Sequence, residues 1–481
     1  MRLDHGGSAT QSAHGTPTAE PVLDTRLPLS VGQEGLWLLQ RLTPDSATYN
    51  LAGGARMRPA PDPAILARAV HALTDRHPML RSLYTETDGQ PCRVVQEGGA
   101  LGELTVHEIP DASDEELDEL VKAEVRRPFR LDTEGPFRAV LLRRRGDAVA
   151  LVVTHHIATD AFSQWLLWRD LLQAYEAFAT GAGHPGWEPL PVTYDDSVER
   201  EQLLLESSRG KRQAEFWQEE AAGARAAELP TDRPRPAVSS QSGATLLRRL
   251  PDRLSDKVLR TAASRGVSPF ALTLGAFQAL LHRWGGQRDF LLACPASTRR
   301  SSAAQVVGYF VNPVLIRARF DRQTTLADAM AQAADRVRQA TARVSYPYPL
   351  VARDASTEGP LYRISVTMVS TDRFGSGMGG AASGEPMDVA GIETTYMEIP
   401  HLEGQCDLSL EITRDVYGLT VALRYDTDLF EQVTIERLFD LFVRFLEAAA
   451  DDPDQRVSRI PLTDDAERRA LLALGGSGGS S

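Results

Sequence analysis

The chain has 481 residues, 42% of them hydrophobic and 24% charged, which is typical of a globular protein large enough for two or more domains. A formal net charge of −13 argues against nucleic-acid binding, and no apolar run has the length of a membrane span or the form of a secretory signal. The three cysteines are far apart and offer neither a disulfide framework nor a C-x-x-C metal site, so we expect a cytoplasmic, metal-free protein.

The first half of the chain alternates predicted strands and helices. Short β-branched apolar runs predict strands, and apolar residues spaced three and four apart predict helices. In chain order we predict a helix over about 30–42, a strand over 51–58, a helix over 62–76, strands over 80–86 and 91–97, a helix over 113–126, strands over 137–143 and 148–154, and a helix over 162–179.

A proline-rich break at Pro230, Pro234 and Pro236 interrupts every periodic pattern, and a similar alternation follows it. There we predict a strand over 244–250, helices over 252–264 and 268–284, strands over 288–294 and 312–319, a helix over 324–342, strands over 361–369, 391–398, 407–413 and 418–425, and a helix over 431–450. Interleaved strands and helices in both halves indicate an α/β protein with two lobes of similar size.

These patterns divide the chain into five parts. We predict a disordered leader over 1–25, an N-terminal lobe over 26–220, an inter-lobe linker over 221–242, a C-terminal lobe over 243–471 and a flexible tail over 472–481. The segment Gly375–Gly380 matches G-x-G-x-x-G, but the following residues lack a helical pattern, so we interpret it as a glycine-rich loop rather than a dinucleotide site.

The candidate chemistry lies where the predicted strand 148–154 meets the predicted helix 162–179. His155 and His156 stand at this corner, and Asp160 follows four residues after the second histidine. Successive strand residues point to opposite faces, so we expect one histidine ring to reach a cleft. The alternative is a structural corner whose polar side chains only satisfy backbone groups.

Several segments, in order along the chain, resemble the core motifs of nonribosomal peptide synthetase condensation domains. The His155–Ala161 segment matches H-H-x-x-x-D-G, with Ala161 in place of glycine. The further matching segments are Leu29–Trp37, Arg76–Ser82, Val307–Pro313, Tyr346–Pro349, Gly359–Tyr362, Asp407–Leu410 and Tyr425–Phe430, while Tyr194–Asp196 is a weak remnant of another motif. The resemblance spans roughly residues 27–471.

The resemblance implies a fold and a set of partners. Two chloramphenicol-acetyltransferase-like lobes would form a V-shaped pseudo-dimer with a central tunnel. Donor and acceptor carrier proteins would each insert a 4'-phosphopantetheine arm into the tunnel, so the chain itself would bind no cofactor directly. It would act as a monomeric domain, with neither nucleic acid nor membrane among its partners.

The resemblance also implies an enzyme, an acyltransferase that forms an amide between a carrier-bound acyl or peptidyl thioester and the amine of a carrier-bound aminoacyl acceptor. His156 would orient or deprotonate the amine, because a neutral imidazole with an ordinary pKa near 6.5 suits either task. His155 would support the corner, and Asp160 would form a structural pair with Arg81. Backbone N–H groups at the start of the following helix would help to stabilise the oxyanion.

Ala161 leaves the largest question open, because its Cβ would either narrow the channel or strain a left-handed turn. Two other functions also stay open. One is ester formation or acyl transfer to a soluble acceptor within the same superfamily, and the other is a catalytically silent docking platform for partner proteins.

Overall fold

The computed structural model describes residues 26–97, 101–237, 239–355, 359–371, 385–397, 399 and 406–463. Two six-stranded sheets with separate hydrophobic cores organise this part of the chain. The predicted α/β class with two lobes is therefore confirmed. The predicted leader, the predicted tail and the segment 375–380 lie outside the described residues.

The first sheet carries most of the N-terminal lobe. Its strands lie in the order β12-β13-β2-β7-β6-β5. Every residue of β7 is buried, because this apolar strand lies inside the sheet between β2 and β6. The strands are β2 (Asn50–Arg58), β5 (Leu104–Glu108), β6 (Phe137–Arg143), β7 (Ala148–His155), β12 (Met387–Val389) and β13 (Ile392–Met397).

The described α-helices of the first half of the chain begin at side-chain caps, except the helix Asp195–Glu206, which has none. Ser30 and Gln33 form a capping box at the start of α1, and Asp160 caps α4. The helices are α1 (Val31–Leu42), α2 (Pro63–Arg76), α3 (Asp114–Arg126), α4 (Ala161–Ala179), α5 (Asp195–Glu206) and α6 (Ser208–Ala221). A small separate sheet has the order β1-β4-β3, formed by β1 (Arg26–Pro28), β3 (Ser82–Thr87) and β4 (Gln90–Val95).

The second sheet has the strand order β10-β9-β11-β14-β15-β8. Its strands are β8 (Gly243–Arg249), β9 (Asp289–Ser297), β10 (Val311–Arg319), β11 (Ile364–Ser370), β14 (Leu408–Asp415) and β15 (Gly418–Asp426). The helices of this half are α7 (Asp252–Ser264), α8 (Pro269–Gly285), α9 (Leu326–Thr341), α10 (Tyr348–Asp354) and α11 (Gln432–Asp451). The helix α8 is almost wholly buried, as its apolar sequence predicts.

The two halves exchange elements across the predicted boundaries. The strands β12 and β13 belong to the second half of the sequence but pair into the first sheet, where Tyr396 lies opposite Ala55. Trp217 and Ala224 pack in the second core, although they precede the second sheet in the chain. The lobe boundaries stay a prediction, and these contacts show that neither lobe is closed by its own residues alone.

Periodicity predicted the long elements and missed several amphipathic or short ones. The helices α5, α6 and α10 and the strands β1, β5 and β12 were not predicted, because polar residues dominate α5 and α6 and the others are short. In the described part of the chain, no helix is both long and apolar enough to cross a membrane.

Candidate active site

The strand-to-helix corner holds His156 between the two lobes. β7 ends at His155 and α4 begins at Ala161, so the turn between them carries the second histidine. The backbone N–H of His156 donates to the carbonyl oxygen of Tyr49 at 2.8 Å, which ties the corner to the start of β2. His156 is partly exposed, and its ring meets the ring of Tyr309 nearly at a right angle, with centroids 5.3 Å apart.

A backbone carbonyl fixes which nitrogen of His156 is free. Nδ1 lies 2.7 Å from the carbonyl oxygen of Thr159, and only a protonated Nδ1 can donate to that oxygen. In the neutral ring Nε2 therefore carries the lone pair. Burial lowers the pKa of His156 below its usual value, so the neutral ring predominates at pH 7. The arrangement provides an oriented acceptor of hydrogen bonds or protons.

His155 occupies a different environment one residue earlier. It is 1% exposed, and its Nδ1 accepts the backbone N–H of Ile157 at 3.1 Å. Burial lowers its pKa to about 3, so the ring is neutral in the folded protein. Its ring packs between Tyr49 and Phe129, at centroid distances of 6.3 and 6.2 Å. These contacts fit the predicted supporting role, which stays a prediction.

Asp160 binds Arg299 and not Arg81, which corrects the predicted ion pair. The Asp160 oxygens lie 3.0 and 3.1 Å from Nη2 of Arg299, and both side chains are about 7% exposed. The same carboxylate accepts the backbone N–H of Ser163 at 2.6 Å and that of Phe310 at 3.1 Å. Arg81 instead donates to the carbonyl oxygen of Gln96 in its own lobe. The carboxylate thus joins the start of α4 to a segment of the second half.

The sequence alone does not select Arg299, the partner of Asp160, as a site residue. Arg299 donates Nη1 to the carbonyl oxygens of Ala303 and Val306, and its guanidinium lies 4.1 Å from the ring centroid of Phe310. Ser163 Oγ accepts from Arg299 at 2.8 Å and donates to the carbonyl oxygen of Gly308 at 2.9 Å. The available signal was weak, because an arginine two residues after a strand has no distinctive local pattern.

The first turn of α4 does not offer all the oxyanion donors that were expected. The N–H of Ser163 is bound to the Asp160 carboxylate, and the N–H of Gln164 donates to the Asp160 carbonyl oxygen at 3.0 Å. Both groups are therefore occupied, which corrects the expectation for these two positions.

Ala161 is the first residue of α4 and is exposed. Among the described residues other than glycine, the left-handed backbone conformations belong to Asp88, Gln241 and Ala390. Ala161 is not in this group, so its Cβ imposes no backbone strain. This finding removes one of the two consequences expected for the substitution of the motif glycine.

The helix α1 and neighbouring residues contact the corner and stabilise it. The buried Gln33 donates Nε2 to the carbonyl oxygen of Ile157 at 2.8 Å. A Cβ at Gly32 would lie 2.6 Å from Cε1 of Tyr309, so glycine permits this ring to approach α1 and the face of His156. Tyr194 donates its hydroxyl to the carbonyl oxygen of Tyr309 at 3.0 Å.

The described residues contain no cluster of His, Cys, Asp and Glu that could hold a metal ion.

Comparison with known proteins identifies the family. A family model for the condensation domain matches residues 24–472. The chain is 30% identical to a linear gramicidin synthase protein of Brevibacillus parabrevis over 98% of its length, and it covers 9% of that protein. It is 31% identical to phosphinothricin tripeptide synthetase PhsC of Streptomyces viridochromogenes over 95% of its length, and it covers 43% of that protein. The chain thus spans less than half the length of these relatives.

Solved structures show the same two-lobed fold. The X-domain in its complex with OxyB from teicoplanin biosynthesis is 25% identical, with a TM-score of 0.80 over 95% of this chain and 100% of that one. The first condensation domain of the calcium-dependent antibiotic synthetase, in complex with a substrate analogue, is 21% identical, with a TM-score of 0.72 over 91% of this chain and 99% of that one. The acetyltransferase-like two-lobe prediction is thereby confirmed. The chain belongs to the condensation domain family of nonribosomal peptide synthetases.

Proposed function

We propose that the protein joins a carrier-bound acyl or peptidyl thioester to the amine of a carrier-bound aminoacyl acceptor and forms an amide. The observation that carries this proposal is the orientation of His156, a partly exposed residue whose Nδ1 is engaged by the Thr159 carbonyl, so that Nε2 is the acceptor of the neutral ring. Membership of the condensation domain family supports the reaction class.

The chemistry requires little beyond positioning and a base. The amine nitrogen attacks the thioester carbonyl carbon, the C–N bond forms, the C–S bond breaks, and the pantetheine thiol leaves with a proton. An α-amine has a pKa near 8, so part of it is protonated at neutral pH and only the neutral form attacks. Nε2 of His156 accepts a hydrogen bond from this amine and takes the proton as the C–N bond forms.

The substrates are proposed to arrive on carriers. The relatives are synthetases of which this chain covers a small part, as expected for one domain of a multidomain enzyme. We propose that 4'-phosphopantetheine arms of a donor and an acceptor carrier enter a tunnel between the lobes from opposite sides and meet at His156. Alignment of two tethered reactants supplies a large part of the acceleration. The cytoplasmic location expected from the sequence stays a prediction.

Intact-protein mass spectrometry tests the proposal. The protein is mixed with an acyl-loaded donor carrier and an aminoacyl-loaded acceptor carrier, and we expect the acceptor to gain the mass of the acyl group. The His156→Ala variant is expected to lose roughly 10²- to 10⁴-fold in rate, the range for removal of a general base. The exposed His71 provides the control, since His71→Ala removes an imidazole far from the corner in sequence and on another helix. Equal rates for both variants would remove His156 from the reaction.

A docking platform is the second candidate function. It is favoured by the similarity to the teicoplanin X-domain, whose structure was determined in complex with OxyB. The same mixture distinguishes the two functions, because a platform would bind a partner without any transfer of mass between carriers.

A further inference from the structure

A group of uncharged polar side chains from both lobes includes Tyr309, whose ring meets the ring of His156. We call this group the polar chamber, and each of its members is partly exposed. The members are Tyr49, Tyr309, Tyr348, Tyr362, Ser365 and Ser409. The reaction proposed above uses none of these hydroxyl groups, so their placement requires another explanation.

A ring contact, a short chain segment and a side-chain amide connect His156 to Tyr348 of the polar chamber. The His156 ring meets Tyr309, and Tyr309 lies just before β10. Near the start of β10, the Oδ1 of Asn312 accepts the backbone N–H of Tyr348 at 2.8 Å, and its Nδ2 donates to the carbonyl oxygens of Val344 and Tyr346. This amide fixes the start of α10, which carries Tyr348.

The ends of two central strands complete the polar chamber. The rings of Tyr348 and Tyr362 meet at 5.2 Å between centroids, and Tyr362 lies two residues before β11. β11 and β14 pair in parallel with Ser365 opposite Ser409, and their hydroxyl oxygens are 2.5 Å apart. Strand alternation buries Ile364 and Leu408 on the other face, so the serines face away from the second core.

Two tyrosines of the polar chamber, one from each lobe, lie in the electrostatic field of the same cysteine, which agrees with one shared space. Burial and the nearby Cys406 raise the pKa of Tyr49 and that of Tyr348, each to about 12, although the two tyrosines belong to different lobes. Burial also raises the pKa of Cys406 to about 11, so its thiol is neutral near pH 7. Arg424, opposite Ser409 in the ladder, is paired with Glu411 at 2.9 Å. The chamber therefore offers neutral donors and acceptors.

We propose that the polar chamber selects substrates by the side chain next to the reacting group, and that it takes an uncharged side chain bearing a hydroxyl or phenol. The proposal rests on the function proposed above, because it places the reacting atoms at His156. Partly exposed hydroxyl groups favour a ligand side chain that can hydrogen-bond to them and disfavour an isosteric side chain that cannot.

Binding of stable amide analogues tests the proposal without turnover. Threonyl-, valyl-, tyrosyl- and phenylalanyl-pantetheine amides are titrated into the protein by isothermal calorimetry. These compounds form two nearly isosteric pairs that share the same pantetheine, so a preference within a pair reports the side chain alone. We expect threonine over valine or tyrosine over phenylalanine by about 10-fold, the effect of one to two net hydrogen bonds. Preferences below about two-fold in both pairs would overturn the proposal.

Two conservative variants assign the preference to the polar chamber. Tyr362→Phe and Ser409→Ala each remove one hydroxyl and keep the backbone, so we expect either change to reduce the preference several-fold. Tyr417→Phe is the matched control, because Tyr417 lies at an exposed turn between β14 and β15. An unchanged preference in both chamber variants would contradict the assignment.

The assay with loaded carriers separates this inference from the proposed function. Product formation without side-chain preference would overturn the polar chamber and leave amide formation standing. Preferential binding of the hydroxylated analogues without any product would support the chamber and contradict amide formation.

Discussion

Two groups each combine a histidine and an aspartate of the N-terminal lobe with arginine, and they differ in what the histidine contacts. In one, Nε2 of His77 lies 2.9 Å from Oδ2 of Asp170, and these side chains are 1% and 0% exposed. In the other, His156 is partly exposed and its ring contacts the Thr159 carbonyl, while Asp160 binds Arg299.

Direct contact between a histidine and an aspartate therefore does not identify the ring that we propose to react. Asp170 also accepts from Arg76 at 3.0 Å and from Arg169 at 2.6 and 2.8 Å, so this carboxylate is a fully paired buried charge. Burial lowers the pKa of His77, which is almost inaccessible to solvent. Access and a correctly oriented lone pair distinguish His156, and the carboxylate near it contributes to architecture.

The largest stability effect is expected at the ion pair between the lobes. Asp160→Ala and Arg299→Ala should each lower the free energy of unfolding by about 3–5 kcal/mol, because each leaves a buried charge without its partner. Urea unfolding of the single and double variants should give a coupling energy of about 1–3 kcal/mol. In the matched double-mutant cycle of Asp160→Ala with Arg81→Ala, the two changes in unfolding free energy should add within about 0.5 kcal/mol. Strong coupling in that second cycle would restore the pair expected from the sequence.

The second expected effect distinguishes His77 from His156. His77→Ala removes a hydrogen bond to a buried carboxylate and should cost about 1.5–3 kcal/mol in unfolding free energy. Turnover per folded molecule should stay near the wild-type value, in contrast to the large loss expected for His156→Ala. Both are measured by urea unfolding and by single-turnover mass spectrometry normalised to the folded fraction. A His77→Ala protein that is stable but inactive would contradict the structural role expected for His77.

A third effect appears in the pH dependence of stability. His155 binds a proton near pH 6.5 when unfolded but only near pH 3 when folded, so the unfolded chain holds more protons between these values. The free energy of unfolding should therefore fall as the pH is lowered from 6.5, by about 1.4 kcal/mol per pH unit for this group. In chemical denaturation, the unfolding free energy of His155→Gln should change less steeply with pH between pH 4 and 6 than that of the wild type. Equal pH dependences of the unfolding free energy in the wild type and in His155→Gln would mean that the fold does not keep His155 neutral.

The smallest effect is expected at the position that departs from the family motif. Ala161→Gly should change the unfolding free energy by less than about 1 kcal/mol, because Ala161 already has a helical backbone and an exposed side chain. Product formation should stay within about two-fold of the wild type in the loaded-carrier assay. A marked gain in rate would show that the Cβ obstructs a substrate.

Local sequence patterns predicted the corner itself. A buried β-branched run and an amphipathic pattern predicted a strand over 148–154 and a helix over 162–179. The structure has Ala148–His155 and Ala161–Ala179, each one residue longer at the corner. Such signals succeed because burial periodicity and capping act over a few residues. The same reasoning missed α5 and α6, whose polar sequences pack through few side chains.

The amino-acid sequence by itself determined the fold class, most of the long elements and the two histidines with their distinct positions on one strand end. Only the tertiary structure decided that Asp160 pairs with Arg299, 139 residues away, and that the ring of Tyr309 meets the ring of His156. Local pattern reports how a backbone folds and which face is buried. The partner of a buried charge depends on which distant segments pack against it, because several arginines could satisfy the same carboxylate and only the packing of the two lobes brings one of them within reach.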